Sequence, residues 1–232
     1  MSAVRGARER ARTEITAAIK DEARRQLADQ GAAKLSLRAV ARELGMVSSA
    51  LYRYFPSRDD LLTALIVDAY DAIGDTAETA LAGAGPGASA RTRWVTVCRA
   101  IRGWALARPH EYALIYGSPV PGYTAPSATI GPASRVALAL ISIAGDAYRS
   151  DGLALPRVAP ALRTEAERLA ADITPDLPPA AAVALAAAWA QLFGLISFEV
   201  FGQFNRVVTD RDAFFEQAAE NLADSVGLLR RE

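Results

Sequence analysis

The chain has 232 residues, 51% of them hydrophobic, and its 26 basic and 26 acidic side chains balance at neutral pH. That length and apolar share support a substantial core, long for one helical bundle but natural for two all-α parts. Overall neutrality excludes a protein that coats nucleic acid with its whole surface. The single cysteine excludes an intrachain disulfide, which suits a reducing cytoplasm.

Charge is divided unevenly along the chain. The first 58 residues carry 12 Lys/Arg against 6 Asp/Glu, whereas the remainder carries 14 against 20. A positive head on a negative body fits local phosphate binding by the head alone. Arg5, Arg8, Arg10 and Arg12 form a basic arm over residues 1–12. It is expected to be disordered and either to reach phosphates or a minor groove, or merely to solubilise the chain. The first helix is expected over residues 9–30, where Ile15, Ile19, Ala23 and Leu27 recur at four-residue steps and Gly31 supplies the stop. The first 14 residues are charged throughout and do not resemble a signal peptide.

The most informative stretch follows, LSLRAVARELGMVSSALYRYFPSRDDLLTAL over residues 35–65. Ser36 can cap a helix in which Leu37, Val40, Ala41 and Leu44 form one apolar face, with Arg38 and Arg42 on another. Gly45 stands where a helix end needs positive φ. A second short helix begins at Ser48 or Ser49 and is stopped by Pro56, with Leu51 and Phe55 facing inward. Ser49 and Arg53 point away from that ridge, and Tyr52 and Tyr54 flank it. Small residues at its tip (Ser48, Ser49, Ala50) allow close approach to base edges, and the tyrosines can donate to phosphates. Ser57 and Asp60 form a capping-box pattern that opens the next helix, and Arg58 in its first turn is placed for a phosphate. Read singly, the tyrosines could be half-buried core and the arginines a solvated face. Read together they make a helix-turn-helix.

This combination resembles the TetR family of bacterial transcriptional regulators. The family signature stands here as Gly45, Ser48, Leu51-Tyr52-Arg53-Tyr54-Phe55, Ser57-Arg58 and Leu61. Three positions depart from it: Met46-Val47 where a single valine is commoner, Arg58 for lysine, and Ser49 where glycine is frequent. The resemblance implies an all-α protein with an N-terminal DNA-binding domain and a C-terminal helical domain for ligand binding and dimerisation. The expected divisions are residues 1–57, a connecting helix over 58–82, and 88–232 after the linker Ala82-Gly-Ala-Gly-Pro-Gly-Ala88. The DNA contacts implied are Ser36, Arg38, Ser48, Ser49, Ala50, Tyr52, Arg53, Tyr54 and Arg58.

Beyond the linker, residues 104–123 read WALARPHEYALIYGSPVPGY. This stretch resembles the WHG-type regulatory domain of one TetR subgroup, with Trp104, His110 and Gly117 as the eponymous residues. The resemblance implies a ligand pocket, for which Trp104, His110, Tyr112, Tyr116 and Tyr123 are the candidates. Aromatic rings with polar tips suit a mostly apolar pocket, although aromatics in a bundle also simply pack.

Other chemistry is thinly represented. One cysteine and one histidine, Cys98 and His110, make a weak case for a thiolate nucleophile, and Cys98 sits in a helical run where a small thiol packs well. There is no metal-ligand spacing, nucleophile elbow or phosphate loop, so neither catalysis nor a cofactor is expected. From Leu177 to Phe198 no residue is charged for 22 positions, which reaches transmembrane length. Two prolines, Gln191, abundant alanine and the lack of a basic flank argue against a membrane span. In the TetR family the last two long helices form a four-helix dimer interface. Residues 179–205 and 210–229 are placed for it, with Ala184, Ala188, Leu192, Leu195, Phe214, Ala218 and Leu222 as candidate contacts. The expectation is therefore a cytoplasmic homodimer on a double-stranded, pseudo-palindromic operator, a repressor released by a small-molecule effector. An activator or dual regulator of the same family is the alternative.

Overall fold

A computed structural model describes residues 2–85, 87–150 and 152–230, with side chains from Gly6 onward. It is 74% helix, with no strand among the described residues, so the all-α class expected from the sequence holds. The helices are α1 Ser2–Gln30, α2 Leu37–Glu43, α3 Ser48–Leu51, α4 Arg58–Gly83, α5 Ala90–Ala107, α6 Pro109–Tyr116, α7 Ile130–Arg149, α8 Arg163–Ile173, α9 Pro179–Val200 and α10 Arg211–Val226.

The chain divides into two compact units at boundaries other than those of the sequence reading. One comprises the chain up to Tyr70 together with Pro109–Ile130; the other comprises Asp71–Arg108 and the chain from Gly131. Pro109–Ile130, which the sequence places inside the 88–232 domain, thus groups with the N-terminal residues.

In the first unit, Ile19, Ala23 and Leu27 of α1 meet Leu37, Val40 and Ala41 of α2, Leu51 and Phe55, and Leu61, Leu62 and Leu65 of α4 in one buried cluster. Leu114, Ile115, Val120 and Tyr123 of the inserted segment pack against the same cluster, which explains why that segment belongs here. Its polar atoms tie it down too. Tyr123 Oη lies 2.9 Å from Thr63 Oγ1, and Tyr70 Oη donates to the carbonyl of Ile115 at 3.4 Å.

The second unit centres on Trp94, Val97, Cys98 and Ile101 of α5, Ile143 and Ala144 of α7, Leu192 and Ile196 of α9, and Ala219, Leu222 and Val226 of α10. Ser89 caps α5 by accepting from the Thr92 N–H at 3.0 Å, and Asp210 caps α10 by accepting from Ala213 N–H at 2.9 Å. A row of arginines on α5 binds acids on α9 and α10: Arg91 to Glu220 and Asp224, Arg99 to Glu216, and Arg102 to Glu199 at 2.7 Å. Gly227 ends α10 at φ 95°, and a Cβ there would lie 2.0 Å from the Ala154 carbonyl oxygen. Only glycine permits that close pairing of the C-terminal segment with residues 152–154. By length and apolar composition α7, with the turn before it, and α9 could each cross a membrane. In this fold α9 packs against α5, α8 and α10.

Candidate DNA-contact surface and a cavity in the second unit

The helix-turn-helix is assembled by local chemistry. Ser36 Oγ accepts from the Ala39 N–H at 3.4 Å and starts α2. Gly45 takes φ 64°, as a turn after a helix end requires. The helix that follows is shorter than its sequence suggests. Only Ser48–Leu51 is regular α-helix, and Arg53 and Tyr54 then bond back to Ala50 and Leu51 in tighter turns. Pro56 explains this, because it constrains Phe55 toward extended backbone and denies the helix further turns. Ser57 Oγ accepts from the Asp60 N–H at 3.1 Å and donates to its carboxylate at 2.7 Å, which caps the start of α4.

Arg38, Ser48, Ser49, Tyr52 and Arg53 are exposed on the paired helices α2 and α3, whereas Ser36, Ala50 and Tyr54 are half-buried. Tyr54 packs against the core and lies under the Arg12 guanidinium, whose carbon is 5.4 Å from the ring centroid. Arg58 is turned inward. Its Nη2 donates to the Ala32 carbonyl at 2.8 Å and its Nε to the Leu35 carbonyl at 3.2 Å, tying α4 to the turn between α1 and α2.

The basic arm also departs from expectation. Residues 2–12 continue α1 as helix rather than forming a disordered tail, consistent with their alanines and arginines being good helix formers. Arg5 has its side chain outside the described residues. Arg8 and Arg12 line a cleft with Met46, Ala50, Arg53 and Tyr54, which puts two further cations beside the short helix.

Of the five candidate pocket residues, Trp104 is buried on α5 in the second unit, while the other four lie in the first. Tyr112 is fully buried, with its ring 5.2 Å from Tyr116, which meets Tyr70 edge-on at 6.1 Å. Desolvation raises the Tyr116 and Tyr70 hydroxyl pKa values above the ordinary phenol range. His110 is exposed beside the C-terminal end of α1, in a hollow with Leu27, Gly31 and Pro119. Cys98 is wholly buried, and desolvation pushes its thiol pKa up, which suits packing and opposes nucleophilic chemistry.

A cavity that the sequence did not signal opens in the second unit between α7, α8 and α9. About 220 Å³ in volume, it is lined among others by Leu140, Ile141, Ile173, Thr174, Leu185 and Trp189. Thr174 is 3% exposed, and its hydroxyl oxygen has no hydrogen-bond partner among the described residues.

Residues 19–65 match the family model described as bacterial regulatory proteins, tetR family, and residues 94–222 match the tetracyclin repressor-like C-terminal domain. The chain belongs to the TetR family. It is 42% identical over 219 residues to the HTH-type transcriptional regulator Rv1816 of Mycobacterium tuberculosis H37Rv, covering 91% of this chain and 92% of that one. The HTH-type transcriptional regulator Mb1846 of Mycobacterium bovis matches with the same identity and coverage. Among solved structures, the protein SCO4313 is 34% identical with a TM-score of 0.77, covering 93% of this chain and 98% of that chain. The TetR-family chain is therefore a DNA-binding transcriptional regulator and not an enzyme.

The expected dimer contacts fall on two sides of this TetR-family chain's helices. Ala188 and Leu192 are fully buried in its own interior, and Leu222, 3% exposed, lines the groove between α9 and α10. Ala184, Leu195 and Ala218 are half-buried, and Phe214 is 41% exposed. The face left open carries Gln191, Gly194, Phe198 and Asn221 with Leu195, Phe214 and Ala218, around a shallow groove between α9 and α10. Phe198 is 52% exposed there.

Proposed function

We propose that this regulator is a homodimeric repressor that binds a pseudo-palindromic operator and is released by a small molecule bound in its second unit. The observation that carries the DNA reading is the exposed set Arg38, Ser48, Ser49, Tyr52 and Arg53, borne on a helix pair inside a module matching the family's DNA-binding model. Arg8 and Arg12 extend that set with phosphate donors. The apolar, open α9–α10 face supports dimerisation, which would present two short helices about one DNA turn apart.

Coupling between the units is carried by more than one connection. The chain passes between the units three times, at Tyr70–Asp71 within α4, at Arg108–Pro109 and at Ile130–Gly131. On α7, which lines the cavity, Arg135 holds Asp71 at 3.0 Å and also pairs with Asp75 and Glu78 on α4. Gly74 allows that approach, since a Cβ there would lie 2.9 Å from the Arg135 Cβ. A ligand that moves α7 thereby pulls on α4 as well as on the junction at Ile130–Gly131. Effector and operator then weaken each other's binding by equal factors.

The test is fluorescence anisotropy of the full chain with labelled DNA from immediately upstream of its own gene, against a scrambled duplex at two salt concentrations. Selective, salt-dependent binding that is lost in a Tyr52→Ala/Arg53→Ala double variant is expected. No binding to either duplex at low salt would refute the DNA-contact surface.

A further inference from the structure

We propose that the α7–α8–α9 cavity binds an uncharged, mostly apolar molecule the size of a substituted single ring, anchored by one hydrogen bond to the Thr174 hydroxyl. That such a molecule acts as the effector rests on the proposed function; that it binds here does not.

Size comes first. A dry apolar cavity of about 150 Å³ accepts benzene, so 220 Å³ leaves room for a ring with two or three further heavy atoms. The lining includes no charged side chain, and an ion would find no counter-charge to offset its desolvation. Trp189, its ring 4.6 Å from that of Phe193, supplies a flat wall for an aromatic or alicyclic guest.

The hydroxyl then sets the polarity. Thr174 sits at the C-terminal end of α8, where its N–H donates to Ala170 at 3.0 Å and its carbonyl accepts from Leu177 N–H at 2.9 Å. Both backbone groups are thus engaged and fix the residue, while its buried Oγ1 has no partner among the described residues. A buried polar atom in that state ordinarily has one. A water makes a poor guest, because it needs two to four polar neighbours and this lining is otherwise apolar. Oγ1 itself is closed off from the cavity in the present rotamer; a turn about χ1 brings it to an organic guest with one hydroxyl or carbonyl, which fills the apolar remainder. Ile173, 49% exposed, and the exposed Ala186 leave the cavity open to entry.

Calorimetric titration of the full-length protein with 4-ethylphenol, ethylbenzene and 4-ethylbenzoate tests this. One 4-ethylphenol per chain is expected, with weaker ethylbenzene binding and none of the carboxylate. Thr174→Val, which keeps the shape and removes the hydroxyl, should weaken 4-ethylphenol about three- to tenfold and leave ethylbenzene within about twofold. Ala186→Phe, at an exposed lining position, should remove both. Failure of both neutral probes to bind, equal loss of both in Thr174→Val, or binding of the carboxylate as tight as that of the phenol would overturn the site. Operator anisotropy with and without 4-ethylphenol separates the two readings. Binding to the protein with unchanged operator affinity upholds the site and removes its effector role.

Discussion

Replacing Arg58 by glutamine distinguishes a phosphate contact from an internal tie, two roles that one arginine at a helix start can serve. The structure favours the tie, because the guanidinium donates to the carbonyls of Ala32 at 2.8 Å and Leu35 at 3.2 Å. A third approach, to Ala33 at 3.5 Å, is at the limit of a hydrogen bond and carries no weight. Bonds from a charged donor contribute about 1.5 to 3 kcal/mol each when well shielded. The Arg58 side chain is 30% exposed, so solvent screening brings the pair together to about 2 kcal/mol. For a chain of this size that is a fall of about 4 to 8 °C in melting temperature. Operator affinity measured from about 50 to 200 mM salt should then keep its slope, because no phosphate contact is lost. The opposite pattern, a slope shallower by about 0.9 with the melting temperature unchanged, would refute the reasoning and return Arg58 to the DNA surface.

Tyr52→Phe should weaken operator and scrambled DNA alike by about three- to tenfold, whereas Ser49→Ala should alter the ranking of operator variants more than affinity in general; binding-site selection on both proteins checks this. Phe198→Glu on the open α9–α10 face should convert dimers to monomers in light scattering without lowering the melting temperature of the monomer. Leu192→Ala, fully buried in the same helix, should cost about 2 to 5 kcal/mol in urea unfolding and leave assembly of the folded protein intact. Cys98 should stay unreactive to an aromatic disulfide reagent until the protein is denatured, then react with one equivalent. On acidification, Asp146 and Asp224 should lend stability that is present above the ordinary carboxylate range and lost as pH falls through their lowered pKa values. Arg93 leads Arg149 in lowering the first, and Arg91 leads Arg230 in lowering the second. Circular dichroism of Arg93→Gln should show its acid midpoint moved upward.

The helix-turn-helix was legible because its signals are local. A serine cap, a glycine at positive φ, a proline stop and a second serine cap each act within four residues, so sequence spacing alone places Ser36, Gly45, Pro56 and Ser57–Asp60 correctly. What Arg58 touches was not legible, since its acceptors lie 23 and 26 residues away on a turn whose carbonyls carry no sequence signature. The same limit hid the membership of residues 109–130. Taken singly their aromatics read more readily as core than as pocket, and the packing of Leu114, Ile115, Val120 and Tyr123 on the N-terminal cluster appears only in three dimensions.

The α7–α8–α9 cavity and the α9 face failed for a different reason. A helix rich in alanine and leucine on every side has no amphipathic stripe, so periodicity cannot say which residues meet the chain's own core. In α9 the whole small-residue surface of Ala184, Ala187, Ala188 and Gln191 with Leu192, Leu195 and Phe198 suits close helix contact, yet Ala188 and Leu192 are wholly buried against neighbouring helices of the same chain. The adjacent row Ala187, Gln191, Gly194, Phe198 is the exposed one, a rotation of about 100° that one residue of register accounts for. Charge resolves that ambiguity where composition cannot. Glu199 is buried where Arg102 meets it at 2.7 Å, so the pair lies on the side of α9 that faces α5. A long-range ion pair between residues 97 apart therefore marks the side of α9 turned to the chain's own core, opposite the exposed row.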